Sequence, residues 1–165
     1  MKLRKLSLDD ASLMLEWMHD TDVVEHLQTD FMSKTIEDCK KFIESSINDK
    51  KNIHLAIADE DDMYMGTVSL KNIEKDNAEF GITIRTAAMG KGYSKYAIME
   101  MLLYGFNELK LKKIFWCVSP LNLRAIRFYD KNNFRRVDMR GEKITGYTEG
   151  QVDKYIWYEV LYNEF

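Results

Sequence analysis

Residues 78–118 read AEFGITIRTAAMGKGYSKYAIMEMLLYGFNELKLKKIFWCV, and this stretch decides the fold. Ala78 to Arg85 has the period-two pattern of a strand, with Glu79 and Phe80 on opposite faces. The pattern breaks at Gly90 and Gly92. It resumes with Ile98, Met101, Leu102, Phe106 and Leu109, which make the apolar stripe of a helix. Lys110, Lys112 and Lys113 favour the C-terminal end of that helix electrostatically. The short apolar run IFWCV, Ile114 to Val118, predicts a strand buried on both faces and parallel to the first. Strand, helix and parallel strand form a βαβ unit.

Upstream, Lys2 to Leu8 alternates as a strand, and Ser7 or Asp9 caps a helix carrying Ala11, Leu13, Met14, Leu15, Trp17 and Met18. A second helix is expected from near Ser33, with Ile36, Cys39, Phe42, Ile43 and Ile47 on one face. The intervening loop, residues 19–32, is long enough to suggest a functional role. Ile53, Leu55 and Ile57, an acidic turn at residues 59–62, and Met63 to Leu70 predict an antiparallel hairpin. Downstream, Pro120 and Asn122 begin a helix through Tyr129, and Asn133 suits a left-handed helix end. Phe134 to Met139 and Tyr155 to Leu161 supply the last strands. The order βααβββαβαββ specifies a layered α/β domain.

With 165 residues and 45% hydrophobic composition, the chain suits one core and is expected to be a single domain over residues 1–165. A net charge of -3 and a pI near 5.7 disfavour a nucleic-acid surface. Cys39 and Cys117 are far apart with no Cys or His at metal spacing, so neither a disulfide framework nor a metal site is expected. The N-terminal MKLRKLSLDD has no apolar leader pattern, and no stretch approaches a membrane span, so a cytoplasmic protein without membrane association is expected.

A strand, the turn MGKGYS at residues 89–94 and a long helix form an arrangement in which backbone N–H groups converge on an anion. Gly90 and Gly92 allow close approach and Lys91 adds charge. By itself the turn reads more readily as an ordinary helix entry with two turn glycines and a solvent-facing lysine. It lacks the GxxxxGKS/T spacing of a Walker loop and the third glycine of a dinucleotide fingerprint. A second constellation, NLRAIRFYDKNNF from Asn122 to Phe134, follows at the spacing of the next βα unit.

Together these segments resemble the GNAT superfamily of N-acetyltransferases. Its phosphate-binding signature, Gln/Arg-x-x-Gly-x-Gly/Ala, aligns with Met89, Gly90, Lys91, Gly92, Tyr93 and Ser94. Met89 stands where Gln or Arg is usual, and Ser94 where Gly or Ala is usual. Asn122, Ala125, Tyr129 and Asn133-Phe134 match the family's Asn-x-x-Ala-x-x-x-Tyr-x-x-x-GlyPhe pattern, with Asn133 in place of glycine. LRKL from Leu3, EWM from Glu16 and GQVDKYIW from Gly150 are similar to the branch containing ribosomal-protein N-terminal and spermidine acetyltransferases. The resemblance implies a GNAT-like fold, a mixed central β-sheet flanked by helices.

It also implies acetyl-CoA as cosubstrate, with no metal, and direct attack by a primary amine in a ternary complex. Tyr129 becomes the acid for the leaving thiolate; a free phenol near pKa 10 facing a thiol near 8.5 makes donation modestly uphill. Glu79 becomes a candidate base, against a solvent-facing strand carboxylate. Ile82, Thr83 and Ile84 resemble the pantetheine-binding segment, with one N–H polarising the carbonyl. Lys95 and Asn122 join the cofactor set, Asn122 also reading as a helix cap. Asp20, Asp22, Glu25 and Asp30 in the first loop suggest a cationic acceptor as much as an ordinary solvated loop. The acceptor is a small-molecule or peptide amine, and a homodimer is left open. Two other readings fit the same residues: a CoA-binding or regulatory domain with little turnover, and an interaction module built on Tyr147, Tyr155, Trp157, Tyr158 and Tyr162.

Overall fold

A computed structural model describes all residues, 1–165. The elements are β1 (Lys2–Lys5), α1 (Ala11–Met18), α2 (Thr21–Val24), α3 (Ile36–Ser46), β2 (Ile53–Ala58), β3 (Tyr64–Lys71) and β4 (Asn77–Ile84). They continue with α4 (Tyr93–Asn107), β5 (Lys113–Val118), α5 (Leu123–Lys131), β6 (Arg135–Val137), α6 (Glu149–Lys154) and β7 (Ile156–Leu161). One seven-stranded sheet runs β1-β2-β3-β4-β5-β7-β6. Only β4 and β5 pair in parallel, so the sheet is mixed.

Several local expectations need correction. The short helices α2 and α6 add to the expected order, because four and six residues are too few to establish a helical period. Thr35, not Ser33, caps α3: its side chain accepts from Asp38 N–H while Asp38 reaches back to the Thr35 N–H. Ser33 instead donates to the Asp30 carbonyl. At the first helix it is Ser7 that caps, in a reciprocal pair with Asp10, and a single 3-10 turn precedes α1. β6 stops at Val137, two residues short of Met139, which turns inward to pack near Phe115 and Trp157. Asn133 ends α5 with φ +60°, as its side chain tolerates.

Strand alternation gives the sheet two different faces. Val68, Leu70, Phe80, Ile114, Trp116 and Tyr158 form one, sealed by Ile98, Met101, Leu102 and Phe106 of α4 and by Ile126 and Tyr129 of α5. On the other face, Met14 and Trp17 of α1 and Cys39 and Ile43 of α3 cover Ala56 and Tyr64. A separate small core there joins Phe115 and Trp157 to Met139 and Val152. Between these two covers the strip of sheet over β4 is left open. No helix is long and apolar enough to cross a membrane.

Candidate active site

The parallel ladder between β4 and β5 has three residue pairs, Asn77 with Lys113, Ala78 with Ile114 and Glu79 with Phe115, and then stops. The rest of β4 keeps its antiparallel partner β3, from Phe80 opposite Leu70 to Ile84 opposite Gly66. Arg85 N–H donates to the Met65 carbonyl at 2.9 Å. Antiparallel alternation therefore directs the N–H groups of Thr83 and Gly81 toward β3 and leaves those of Ile82 and Ile84 on the open edge. Thr83 thus leaves the expected set of backbone donors: its N–H is committed to the sheet. Its residue still lines the cavities beside the gap.

After β4 the chain makes the glycine turn. Gly90 and Gly92 have φ of +74° and +87°, a region costly for other residues, and Gly92 is the N-cap of α4. No side chain caps this helix, so the N–H groups of its first turn, including Tyr93, Ser94 and Lys95, remain available. Met89, Gly90 and Ser94 line a cavity of about 210 Å³ together with Ile82, Thr83, Ile84, Asn122 and Tyr129. Lys91 is exposed, and the Lys95 side chain lines a different cleft with Asn133 and Phe165. Neither lysine side chain joins this cavity. Arg124 lies along it, with Nη2 3.4 Å from the Asp22 carbonyl and its other terminal nitrogen against Met89 Sδ.

Asn122 Oδ1 accepts from Ala125 N–H at 3.2 Å, so the helix-cap role is realised, and the residue also borders both cavities. Two α5 turns on, Tyr129 packs against Trp116 and Tyr158 with ring centroids 5.2 and 5.1 Å away. The Tyr129 hydroxyl makes no protein hydrogen bond but is not sealed off, and the residue lines both cavities. Burial, reinforced by Tyr158 and Cys117, raises the phenol well above its ordinary range. Donation to a thiolate is accordingly steeper than the free-phenol comparison implies.

An adjoining cavity of about 380 Å³ runs along the same gap. Glu79 lies there, only 4% exposed, which rules out the solvent-facing alternative. Its Oε1 accepts from Lys71 Nζ at 3.3 Å and from the Tyr147 hydroxyl in a short contact. Tyr147 in turn accepts from Cys117 Sγ at 3.3 Å, and burial pushes the Cys117 thiol up to about 11, so it stays protonated. A second opening of about 490 Å³ shares Phe31, Lys71, Gly81 and Thr83 and extends the groove toward His54 and Lys34. His54 bonds Ser69 Oγ through Nδ1 at 2.7 Å, and burial lowers its tendency to protonate.

His26, Leu27, Gln28, Thr29 and Phe31 of the first loop form one wall of this groove. The acids that suggested a cationic acceptor do not: Asp20 bonds Thr86, Asp30 caps the turn at Ser33, and neither they nor Asp22 and Glu25 line any of the three openings. Lys71, Tyr147 and Cys117 were missed by the sequence reading. Tyr147 sits in an irregular segment with no period to announce it, and Lys71 reads as the end of a hairpin strand. The C-terminal aromatics are mostly interior or groove wall: Trp157 and Tyr158 are buried, Tyr147 and Tyr155 line the cavity, and only Tyr162 is exposed.

A family model for the acetyltransferase (GNAT) domain matches residues 1–135. An uncharacterised N-acetyltransferase, p20 of Bacillus licheniformis, is 27% identical over 139 residues, 81% of this chain and 78% of that protein. The acetyltransferase PseH of Campylobacter jejuni is 22% identical over 134 residues, 81% of this chain and 82% of its own length. The crystal structure of spermidine N-acetyltransferase from Vibrio cholerae, in complex with CoA and spermine, superposes with a TM-score of 0.81 at 21% identity, covering 99% of this chain and 96% of that one.

Proposed function

For a chain that belongs to the GNAT acetyltransferase family, we propose direct transfer of the acetyl group of acetyl-CoA to a primary amine within a ternary complex. The observation that carries the reading is the β4–β5 gap: an open strand edge with Tyr129 on one side and Glu79 on the other. Acetyl-CoA supplies the activated acyl group. Ile82 and Ile84 N–H groups pair with pantetheine as a neighbouring strand does, one of them polarising the thioester carbonyl. The turn from Met89 to Ser94 and the first N–H groups of α4, to Lys95, hold the pyrophosphate, and Asn122 borders the pantetheine. Lys91 contributes charge from outside.

Glu79 Oε2 takes a proton from the acceptor nitrogen as the C–N bond forms. Tyr129 gives its hydroxyl proton to sulfur as the C–S bond breaks, and solvent restores it. No protein thiol enters: Cys117 is held protonated and Cys39 is buried away from the groove. The proposed unit is one domain over residues 1–165, acting in a reducing cytoplasm on a small-molecule or peptide amine. Glu79 is the only carboxylate of the cavity of about 380 Å³ and pairs with Lys71, and Asp38 in the adjoining opening is accompanied by Lys34, so the groove lacks the acidic surplus expected for a polycation.

Thiol release from acetyl-CoA across N-terminal peptides, spermidine and aminoglycosides tests the reading. At least one amine is expected to release CoA in a protein-dependent manner. Calorimetric CoA binding without release to any amine would instead establish a regulatory domain, and absence of CoA binding an interaction module. The glycine turn has its own test. Forcing a side chain into the left-handed region at Gly92 costs roughly 1–2 kcal/mol, so Gly92→Ala relaxes the turn and is expected to weaken calorimetric CoA binding about tenfold. An unchanged affinity removes the pyrophosphate from this turn.

A further inference from the structure

Residues 138–155 cross from β6 to β7 as a strap on the groove side of the sheet. Both ends are anchored. Met139 and Val152 are buried beside Phe115 and Trp157, and Trp157 Nε1 donates to the Val152 carbonyl at 2.8 Å. Thr148 and Gln151 close a reciprocal cap at the start of α6. Gly146, with φ +86°, turns the chain immediately before Tyr147, whose ring lies 5.1 Å from that of Trp157. The Tyr147 hydroxyl, so held, points at a single acceptor, Glu79 Oε1, which Lys71 Nζ also reaches. Glu79 Oε2 has no protein partner. It is nevertheless not sealed, because Trp116 Nε1 is the one buried side-chain polar atom lacking a hydrogen bond.

We propose that Tyr147, together with Lys71, is a positioning residue of this site: the two donors occupy Glu79 Oε1, fixing the carboxylate so that Oε2 faces the acceptor cavity. The proposal rests on Glu79 being the base. Its chemical consequence is directional. Hydrogen bonds and a positive charge on a carboxylate favour its ionised form and oppose the burial that favours the neutral acid. The groups facing Glu79 are Lys71 from β3, Cys117 from β5 and Tyr147 from the strap, with Tyr155 and His26 farther around the same cavity. Lys71 is the single ammonium in contact with the carboxylate, and Tyr147 is the single hydroxyl donor. Cys117 acts through Tyr147, donating to its oxygen.

The test is an infrared titration of the full chain, following the carboxylic C=O band that disappears in Glu79→Gln. Tyr147→Phe keeps the ring against Trp157 and removes only the hydroxyl. The protonation midpoint of Glu79 is expected to rise by about one pH unit relative to the unsubstituted protein, the size of one lost hydrogen bond to a charged group. Lys71→Met, at a side chain 37% exposed, removes the other donor and is expected to move the midpoint the same way, which keeps the test decisive if Tyr147→Phe folds poorly. A midpoint that stays within a few tenths of a unit in the folded variants overturns the proposal. With an amine that turns over, the acid limb of kcat/KM should rise in parallel; a fixed limb with a moving midpoint overturns the positioning role in catalysis. Full turnover in Glu79→Gln instead discards the base assignment, while the infrared result still judges what Tyr147 holds.

Discussion

Replacing Glu79 with Gln is expected to lower kcat/KM by about 10²- to 10⁴-fold at neutral pH, with the calorimetric affinity for CoA unchanged. An alkylamine with a pKa near 10.4 is almost wholly ammonium at pH 7, with roughly one molecule in a few thousand neutral. The neutral fraction attacks, and a carboxylate that takes the nitrogen's surplus proton as the C–N bond forms lowers the barrier; a carboxamide does not. Gln keeps the volume and an oxygen for the Tyr147 hydroxyl, so the fold is expected to persist, as a melting curve will check. The pH profile carries the sign. Both proteins should gain as pH rises and free amine accumulates, with the unsubstituted protein ahead throughout. A kcat/KM within about threefold of the original across that range rejects Glu79 as the base.

Tyr129→Phe is expected to reduce kcat by about 10²-fold, again with CoA binding retained. The ring contacts with Trp116 and Tyr158 survive the change. The hydroxyl has no protein partner to orphan, so no stability cost is expected from its removal. Because burial raises the phenol above its ordinary range, Tyr129 stays protonated through the whole working range and contributes no alkaline limb below about pH 10. The same shift makes it a weak acid toward sulfur. Proton transfer must therefore accompany C–S cleavage, when basicity develops on the leaving atom. Stopped-assay thiol release together with calorimetry separates these effects: equal turnover in the Phe variant withdraws the acid assignment, and a parallel loss of CoA binding makes the residue a wall of the cofactor channel.

Much of this was legible in the chain because its signals are local. The period-two run at residues 78–85, the two glycines and the helical stripe from Ile98 to Leu109 locate β4, the turn and α4 without tertiary information. Asn122 and Tyr129 were singled out only through the resemblance of their helix to the family pattern. What escaped is non-local. The Thr83 N–H is spent on β3, a fact of register that no period reveals. Lys71, Cys117 and Tyr147 come together only because β3, β5 and the strap converge on Glu79, across as many as 76 positions between Lys71 and Tyr147. Charge counting misled for a related reason. The first-loop carboxylates are close in sequence to the groove wall, but short-range turns and the contact with Thr86 turn them elsewhere.

The three-pair junction of β4 and β5 has a further consequence for how the molecule cycles. Beyond that seam this edge of β4 has no neighbouring strand. Under the proposed reading, pantetheine braces that edge. The brace is made by the part of the donor that the reaction does not alter, so spent CoA grips the seam through the same bonds as its acetylated form. Turnover then depends on releasing a product that the framework has no means of distinguishing from its precursor except at the acetyl end. Under the same reading, chemistry at Glu79 and Tyr129 is local, whereas departure breaks the whole brace.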